Sequence, residues 1–300
     1  RARASSSCCP CPVLPGRPGD ILRRSHGAVL VRTGDAAVWI GQVRRVGGQG
    51  LKLPATVALG DRLTRASVAP GDREISYRRC GPVGVLRFAF YNGAMSTGQC
   101  ERLVAALRVA AAQDTRVLVL RGGEVGEVFA NGIHLHVIEA AARPEVEAWR
   151  NIQAIDDVCR EIITCTGQLV VASVGGNAGA GGVMLALGAD RVLARAGVML
   201  NPHYRTMGLY GSEYWSYVLP RRVGAHRAES LVGRCEPVAV EEAVRIGLVD
   251  EALAGPPAAF EEAVLEYATR LATRADYASL LERKRAARAT DERRRPLESY

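Results

Sequence analysis

The chain has 300 residues, 48% hydrophobic and 23% charged, with a formal net charge of +8. That length allows one large domain or two smaller ones around a substantial core, and the balance of residue types is that of a globular chain and not a disordered one. No apolar run approaches the roughly 18–20 residues that cross a bilayer, and no charged-then-apolar leader opens the chain, so a cytoplasmic protein without membrane contact is expected.

Residues 1–18 combine Ser, Cys, Pro and Arg without periodicity and read as a disordered tail. Cys8, Cys9 and Cys11 form a CCPC cluster there, but no second Cys or His pair stands at zinc spacing, so no metal site is expected. The remaining cysteines, Cys80, Cys100, Cys159, Cys165 and Cys235, are scattered and read as buried free thiols. Residues 19–72 show short strands and turns, with 28–32 and 36–40 flanking a Thr-Gly-Asp hairpin signal. This stretch is too small to stand alone. It reads as the tail of a β-domain, and the chain, opening on Arg1 and stopping at Tyr300, as a piece of a longer one.

From about residue 75 strand and helix patterns alternate. Residues 83–90 form a strand, and 97–112 a helix with Leu103, Ala106, Leu107 and Ala110 at helical spacing. Residues 116–120 are a short buried strand. Residues 145–166 are a long helix with Val146, Trp149, Ile152, Ile155, Cys159 and Ile162 on one face. A strand at 169–174 runs into a glycine-rich loop, a helix begins at 183–187, and 191–194 is the next strand. A short helix at 241–246, an extended segment at 248–252 and a helical region at 260–288 follow. The alternation predicts an α/β core over 73–255, with helices on a mostly parallel sheet, and a C-terminal helical region over 256–300.

Three segments carry chemistry. The loop GGNAGAGG, 175–182, lies between a strand and a helix. A dinucleotide site needs an acidic residue at the end of the next strand, and Asp190 stands before it. The glycines instead let the backbone approach a ligand and aim an N–H at it, with Gly181 the natural donor. The loop FANGIHL, 129–135, turns at Asn131–Gly132 and can expose a second N–H. Together they make a two-donor oxyanion hole. Beyond them NPHYRTMGLYGSEYW, 201–215, holds Tyr204 and Glu213 as an acid/base pair. His134 and His203 read as loop-ordering or pocket-lining residues and His136 as a surface residue. The basic run 283–295 has no interleaved aromatics, so nucleic-acid binding is not expected and a solvated helix is the plain reading.

Over 75–300 the order of elements, with the F-x-x-G and GG loops, resembles the crotonase (enoyl-CoA hydratase/isomerase) superfamily. The resemblance implies repeated ββα units with a C-terminal helical region, here preceded by a partial small β-domain. It implies an acyl-CoA thioester as substrate, with the oxyanion donors falling on Asn131 and Gly181. Ala94, Phe129, Gly132, Ile133 and Gly182 fall at CoA- or substrate-binding positions, and Lys284 at a place from which a basic residue reaches a CoA phosphate. Hydratases of the family carry two glutamates that activate water. Here Met184 and Tyr204 stand at those places, which argues against water addition.

The segment around Tyr204, with the two loops, further resembles the HypX/HoxX family of NiFe-hydrogenase maturation factors. Residues 18–45, PGDILRRSHGAVLVRTGDAAVWIGQVRR, resemble the small C-terminal β-domain of formyl-tetrahydrofolate-using formyltransferases. The resemblance implies that a formyltransferase module, which would use formyl-tetrahydrofolate, belongs before this chain. The crotonase-like module would then split formyl-CoA into carbon monoxide and coenzyme A for the hydrogenase iron, working beside hydrogenase maturation partners. Glu213 is the expected base and Tyr204 the expected proton donor or relay, with the reverse assignment open. Met184, Leu209, Tyr214 and Trp215 are expected to keep the pocket dry. Relative to that family the chain is one residue short between Met207 and Leu209, which bears on the register of Glu213. Another acyl-CoA reaction and a non-catalytic maturation scaffold are the alternative readings.

Overall fold

The computed structural model describes residues 15–44, 50–69, 74–123 and 127–297. Cys8, Cys9 and Cys11, and all but the end of the expected tail, lie outside them. The chain divides into two units, one of Arg1–Arg73 with Leu135–Pro144 and one of Glu74–His134 with Glu145–Tyr300. In the first, β1 (Ile21–Ser25), β2 (Ala28–Arg32) and β3 (Ala37–Ile40) form an antiparallel meander. Thr33 Oγ1 accepts the Ala36 N–H at 3.0 Å and closes the β2–β3 hairpin. The strands β4 (Gln42–Arg44) and β5 (Lys52–Pro54) pair with each other, α1 (Ala55–Leu59) follows, and β6 (Ser67–Val68) adds parallel to β1. The buried centre of this unit is small, built on Val29, Ala55 and Leu63.

The second unit repeats one pattern: a core strand, a short strand, a helix. It opens with the hairpin of β7 (Ile75–Cys80) and β8 (Val83–Phe88), then β9 (Ala94–Met95) and α2 (Thr97–Ala111). Next come β10 (Val117–Arg121), β11 (Gly132–Ile133), α3 (Leu135–Glu139, grouped with the first unit) and the long α4 (Pro144–Thr164). The third repeat is β12 (Leu169–Val174), β13 (Ala178–Gly179) and α5 (Gly181–Leu187). The fourth is β14 (Arg191–Arg195), β15 (Met199–Asn201), α6 (Trp215–Val223) and α7 (Ala225–Arg234). Then follow β16 (Val238–Ala239), α8 (Val240–Arg245), β17 (Glu251–Leu253), α9 (Pro257–Thr273) and α10 (Tyr277–Arg294).

The main sheet has the order β17-β14-β12-β10-β8-β7, parallel except for the β7–β8 hairpin. Alternation sorts its apolar residues to two faces. Val83, Val117, Val119, Val171 and Leu193 meet Phe260, Val264 and Leu271 of α9 and Tyr277 and Leu281 of α10. Leu86, Leu118, Leu120, Val170 and Ala172 meet the larger core built from α2, α4 and α5. Each fully buried Leu, Ile or Val contributes about 1.5–3 kcal/mol, so this double burial fixes the sheet register that positions the loops at its carboxyl edge.

Several boundaries shift. The expected helical region at 260–288 is two helices, separated at residues 274–276. Two further helices, α6 and α7, occupy residues to which sequence patterning assigns nothing. On α4 the buried face is Asn151, Ala154, Ile155, Val158, Cys159, Ile162 and Ile163, whereas Trp149 and Val146, expected on it, are exposed. Cys100 and Cys159 are buried, but Cys80, Cys165 and Cys235 are half-buried; all five are free.

Candidate active site

The loops after β10 and β12 are tied to each other. Phe129 donates its N–H to Asn177 O at 2.8 Å, Gly179 donates to Ala130 O at 3.0 Å, and Ala130 bridges Ala178. The two glycines that open α5 do different work. A Cβ on Gly182 would stand 2.0 Å from Ala130 O, so this glycine is required by close backbone packing. A Cβ on Gly181 would stand 2.1 Å from Glu213 Oε1, so here the glycine makes room for the carboxylate. Gly132, with φ +81°, turns its bare side to the same point: a Cβ there would lie 3.3 Å from Gly181 N and 3.7 Å from Glu213 Oε1. Gly132, Gly181 and Glu213 therefore converge. As the first residue of α5, Gly181 has an N–H to which the helix gives no partner.

Two other expected positions, Asn131 and Lys284, are corrected. Asn131 donates its backbone N–H to Gly93 O at 2.8 Å and its Nδ2 to Asn92 O at 2.9 Å. Its amide is spent on alignment with the β9 loop and is not an open oxyanion donor. Phe129 is buried and packs edge-on against Phe88 at 5.5 Å. Lys284 is buried, donating to Gln168 O at 2.8 Å and pairing with Asp190 at 2.5 Å, so it presents no cation to a phosphate. Ala94 and Ile133 are half-buried on the paired β9 and β11.

Tyr204 and Glu213 do meet, and both are buried. The Tyr204 hydroxyl donates to Glu213 Oε2 at 2.9 Å and the Ser212 hydroxyl to the same oxygen at 2.8 Å. The register is set by a tight return: a Cβ on Gly211, φ +107°, would strike the Tyr204 ring at 2.8 Å and Trp215 at 2.9 Å. Burial pushes the Glu213 carboxyl up to about 7, the two hydroxyl donors pull it down, and the Asp156 charge raises it. Burial and the neighbouring Glu213 charge push the Tyr204 phenol well above its ordinary value. One oxygen of the carboxylate is thus held by two hydroxyls, and the other faces Gly181.

Sequence reading missed Asp156 on α4. Its Oδ1 accepts the Glu213 backbone N–H at 2.6 Å, and burial pushes its own carboxyl up to about 6. A carboxylate at the margin of a buried helical face is a visible signal; a partner 57 residues away is not. Asn151, one turn earlier and fully buried, donates to Met95 O at 2.9 Å and accepts the His134 N–H at 3.1 Å, which fixes the segment after β11. His203 Nδ1 lies 3.0 Å from Asn201 O, a contact within its own turn. Met184 is fully buried in the core; Tyr214 and Trp215 are half-buried. Leu209 is at the surface, as are Met207 and Tyr210, so the expected apolar lining is only partly in place. No group of three or more His, Cys, Asp or Glu residues that could hold a metal occurs among the described residues. Among them, too, no helix is long and apolar enough to cross a membrane.

A model of the enoyl-CoA hydratase/isomerase family matches residues 89–298. The chain is 46% identical over 290 residues to the hydrogenase maturation factor HoxX of Bradyrhizobium diazoefficiens, covering 96% of this chain and 51% of that protein. Its structure superposes on HypX from Aquifex aeolicus, solved in complex with tetrahydrofolic acid, with a TM-score of 0.91 and 39% identity, over 96% of this chain and 53% of that one. An enoyl-CoA hydratase from Bacillus halodurans shares the fold at a TM-score of 0.65 and 20% identity, over 75% of this chain and 91% of that one. The chain spans about half the length of the maturation factors it matches.

Proposed function

The chain belongs to the enoyl-CoA hydratase/isomerase family, and from that premise we propose that it is the crotonase-like half of a cytoplasmic NiFe-hydrogenase maturation protein that splits formyl-CoA into carbon monoxide and free coenzyme A. The observation that carries this reading is the buried Glu213 carboxylate, with one oxygen clamped and the other facing Gly181. The Gly181 N–H would hold the formyl oxygen. Glu213 Oε1 would take the formyl proton; the C–H pair stays on carbon, the C–S bond breaks with its pair on sulfur, and carbon monoxide leaves. The thiolate then needs a proton. A carboxyl near 7 is matched to taking up and returning a proton at neutral pH. A phenol pushed upward is a poor acid and a good fixed hydrogen-bond donor, which suits Tyr204 to holding Glu213.

Burial of the pair also supports exclusion of water, which would divert formyl-CoA to formate. Met184 leaves no carboxylate at its place in the core, so hydration lacks a second water-activating group. The formyl-tetrahydrofolate step and contact with hydrogenase maturation proteins belong, in this proposal, to the longer protein. The test is to supply formyl-CoA and measure carbon monoxide in the gas phase. Tyr204→Phe and Glu213→Gln should lower release by roughly 100–10,000-fold while leaving CoA binding largely intact. Full activity in both variants removes the pair from the mechanism, and turnover of larger acyl-CoA thioesters instead of formyl-CoA replaces the substrate.

A further inference from the structure

Glu213 and Tyr214 both lie at φ 55°, a left-handed conformation that residues with a Cβ rarely adopt. Two such residues in succession need a restraint from elsewhere in the fold. The contact that supplies it comes from α4: Asp156 Oδ1 accepts the Glu213 N–H at 2.6 Å. That bond anchors the backbone where the Glu213 side chain reaches both the Tyr204 and Ser212 hydroxyls and the bare face of Gly181.

We propose that Asp156 is the positioning residue of this site: it holds Glu213 in its left-handed backbone state and, through its negative charge, sets how readily the Glu213 carboxylate takes up a proton. The mechanism above does not use Asp156, which contacts Glu213 and not the reacting atoms. The titratable groups facing Glu213 are Tyr204 from the preceding loop, Asp156 and Cys159 from α4, and Cys100 from α2. Both thiols are buried and pushed upward by burial, so they remain neutral. Tyr204 remains neutral for the same reason. Asp157 acts on Asp156, and Arg160 faces Tyr214. Asp156 is thus the neighbour whose charge changes in the range where Glu213 titrates.

This inference deepens the decarbonylase reading, and its first readout uses no substrate. In the 300-residue chain, the Glu213 carboxyl carbon is followed by NMR against pH with labelled glutamate, Glu213→Gln giving the assignment. Asp156→Asn keeps an acceptor oxygen and removes the charge; it should shift the Glu213 midpoint down by about half to one pH unit. Asp157→Asn, on the exposed side, should shift it by less. Asp156→Ala removes the acceptor as well, and exchange of the Glu213 amide hydrogen should speed up in Ala and not in Asn. The rising limb of carbon monoxide release should move with the midpoint. An unmoved midpoint in Asp156→Asn, or unchanged amide exchange in Asp156→Ala, overturns the proposal. If Asp156→Ala does not fold, the Asn variant alone decides it. If the wild type releases no carbon monoxide while the midpoint still shifts, the decarbonylase reading fails and the positioning role stands.

Discussion

Glu213 costs the fold stability at neutral pH, and the sign follows from its proton affinity. Folded, its carboxyl sits near 7 against an ordinary 4.5. Between those values the folded chain holds a proton that the unfolded chain has released, so stability falls as pH rises through the window and levels off above about 7. Glu213→Gln removes that penalty. Urea unfolding should show the variant gaining up to about 3 kcal/mol over the parent at pH 8 and nothing near pH 4. A gain that is equal at both pH values contradicts the raised carboxyl. Tyr204 and Glu213 were readable from sequence because both are reactive-type groups in an apolar segment. Asn131 misled: an Asn-Gly turn marks where an amide can be exposed, whereas pairing with Gly93 decides which amide is.

At the scale of elements, the two glycines at the start of α5 do separate jobs, one packing on Ala130 and the other making room for Glu213. Gly182→Ala would push a methyl into the Ala130 carbonyl and should cost about 1–3 kcal/mol or more in unfolding free energy. Gly181→Ala puts a methyl 2.1 Å from Oε1 and 2.4 Å from Cδ of Glu213, whose other oxygen is held by two hydroxyls. In the proposed reaction it should lower carbon monoxide release by at least about 100-fold, since it displaces the proposed base, and its stability loss should be smaller than that of its neighbour, because it meets a side chain where Gly182→Ala meets backbone. Equal stability losses in the two variants would contradict the division of labour. The strands and α2, α4 and α9 announce themselves by apolar period. Sequence patterning passes over the helices α6 and α7 although Ala225, Ala228, Leu231 and Val232 stand at helical spacing, because Pro220 lies inside the first and Gly224 separates the two. The left-handed pair at 213–214 was invisible, since neither Glu nor Tyr signals positive φ and the restraining carboxylate is on another helix.

At the scale of the molecule, the parallel core was legible in the alternation of apolar runs, because strands covered on both faces can hardly be written otherwise, whereas the ββα repeats came from the family resemblance, their short strands β9, β11 and β13 being two residues each. The role of the C-terminal basic run was not, since charge alone does not distinguish a solvated arginine from one spent on packing. Lys284 binds Gln168 O and Asp190 at the amino edge of the sheet. Lys284→Met should cost about 3–5 kcal/mol by leaving Asp190 without its ammonium partner, with affinity for an acyl-CoA unchanged; a selective loss of affinity would restore a phosphate role. Further along α10, Asp291 accepts from the Tyr217 hydroxyl at 2.9 Å and pairs with Arg221, both on α6. That helix begins directly after Tyr214. The helix α10 therefore ties the sheet to the helix that follows Glu213, so on heating, carbon monoxide release in the proposed reaction should be lost when α10 lifts, ahead of the cooperative melting of the sheet.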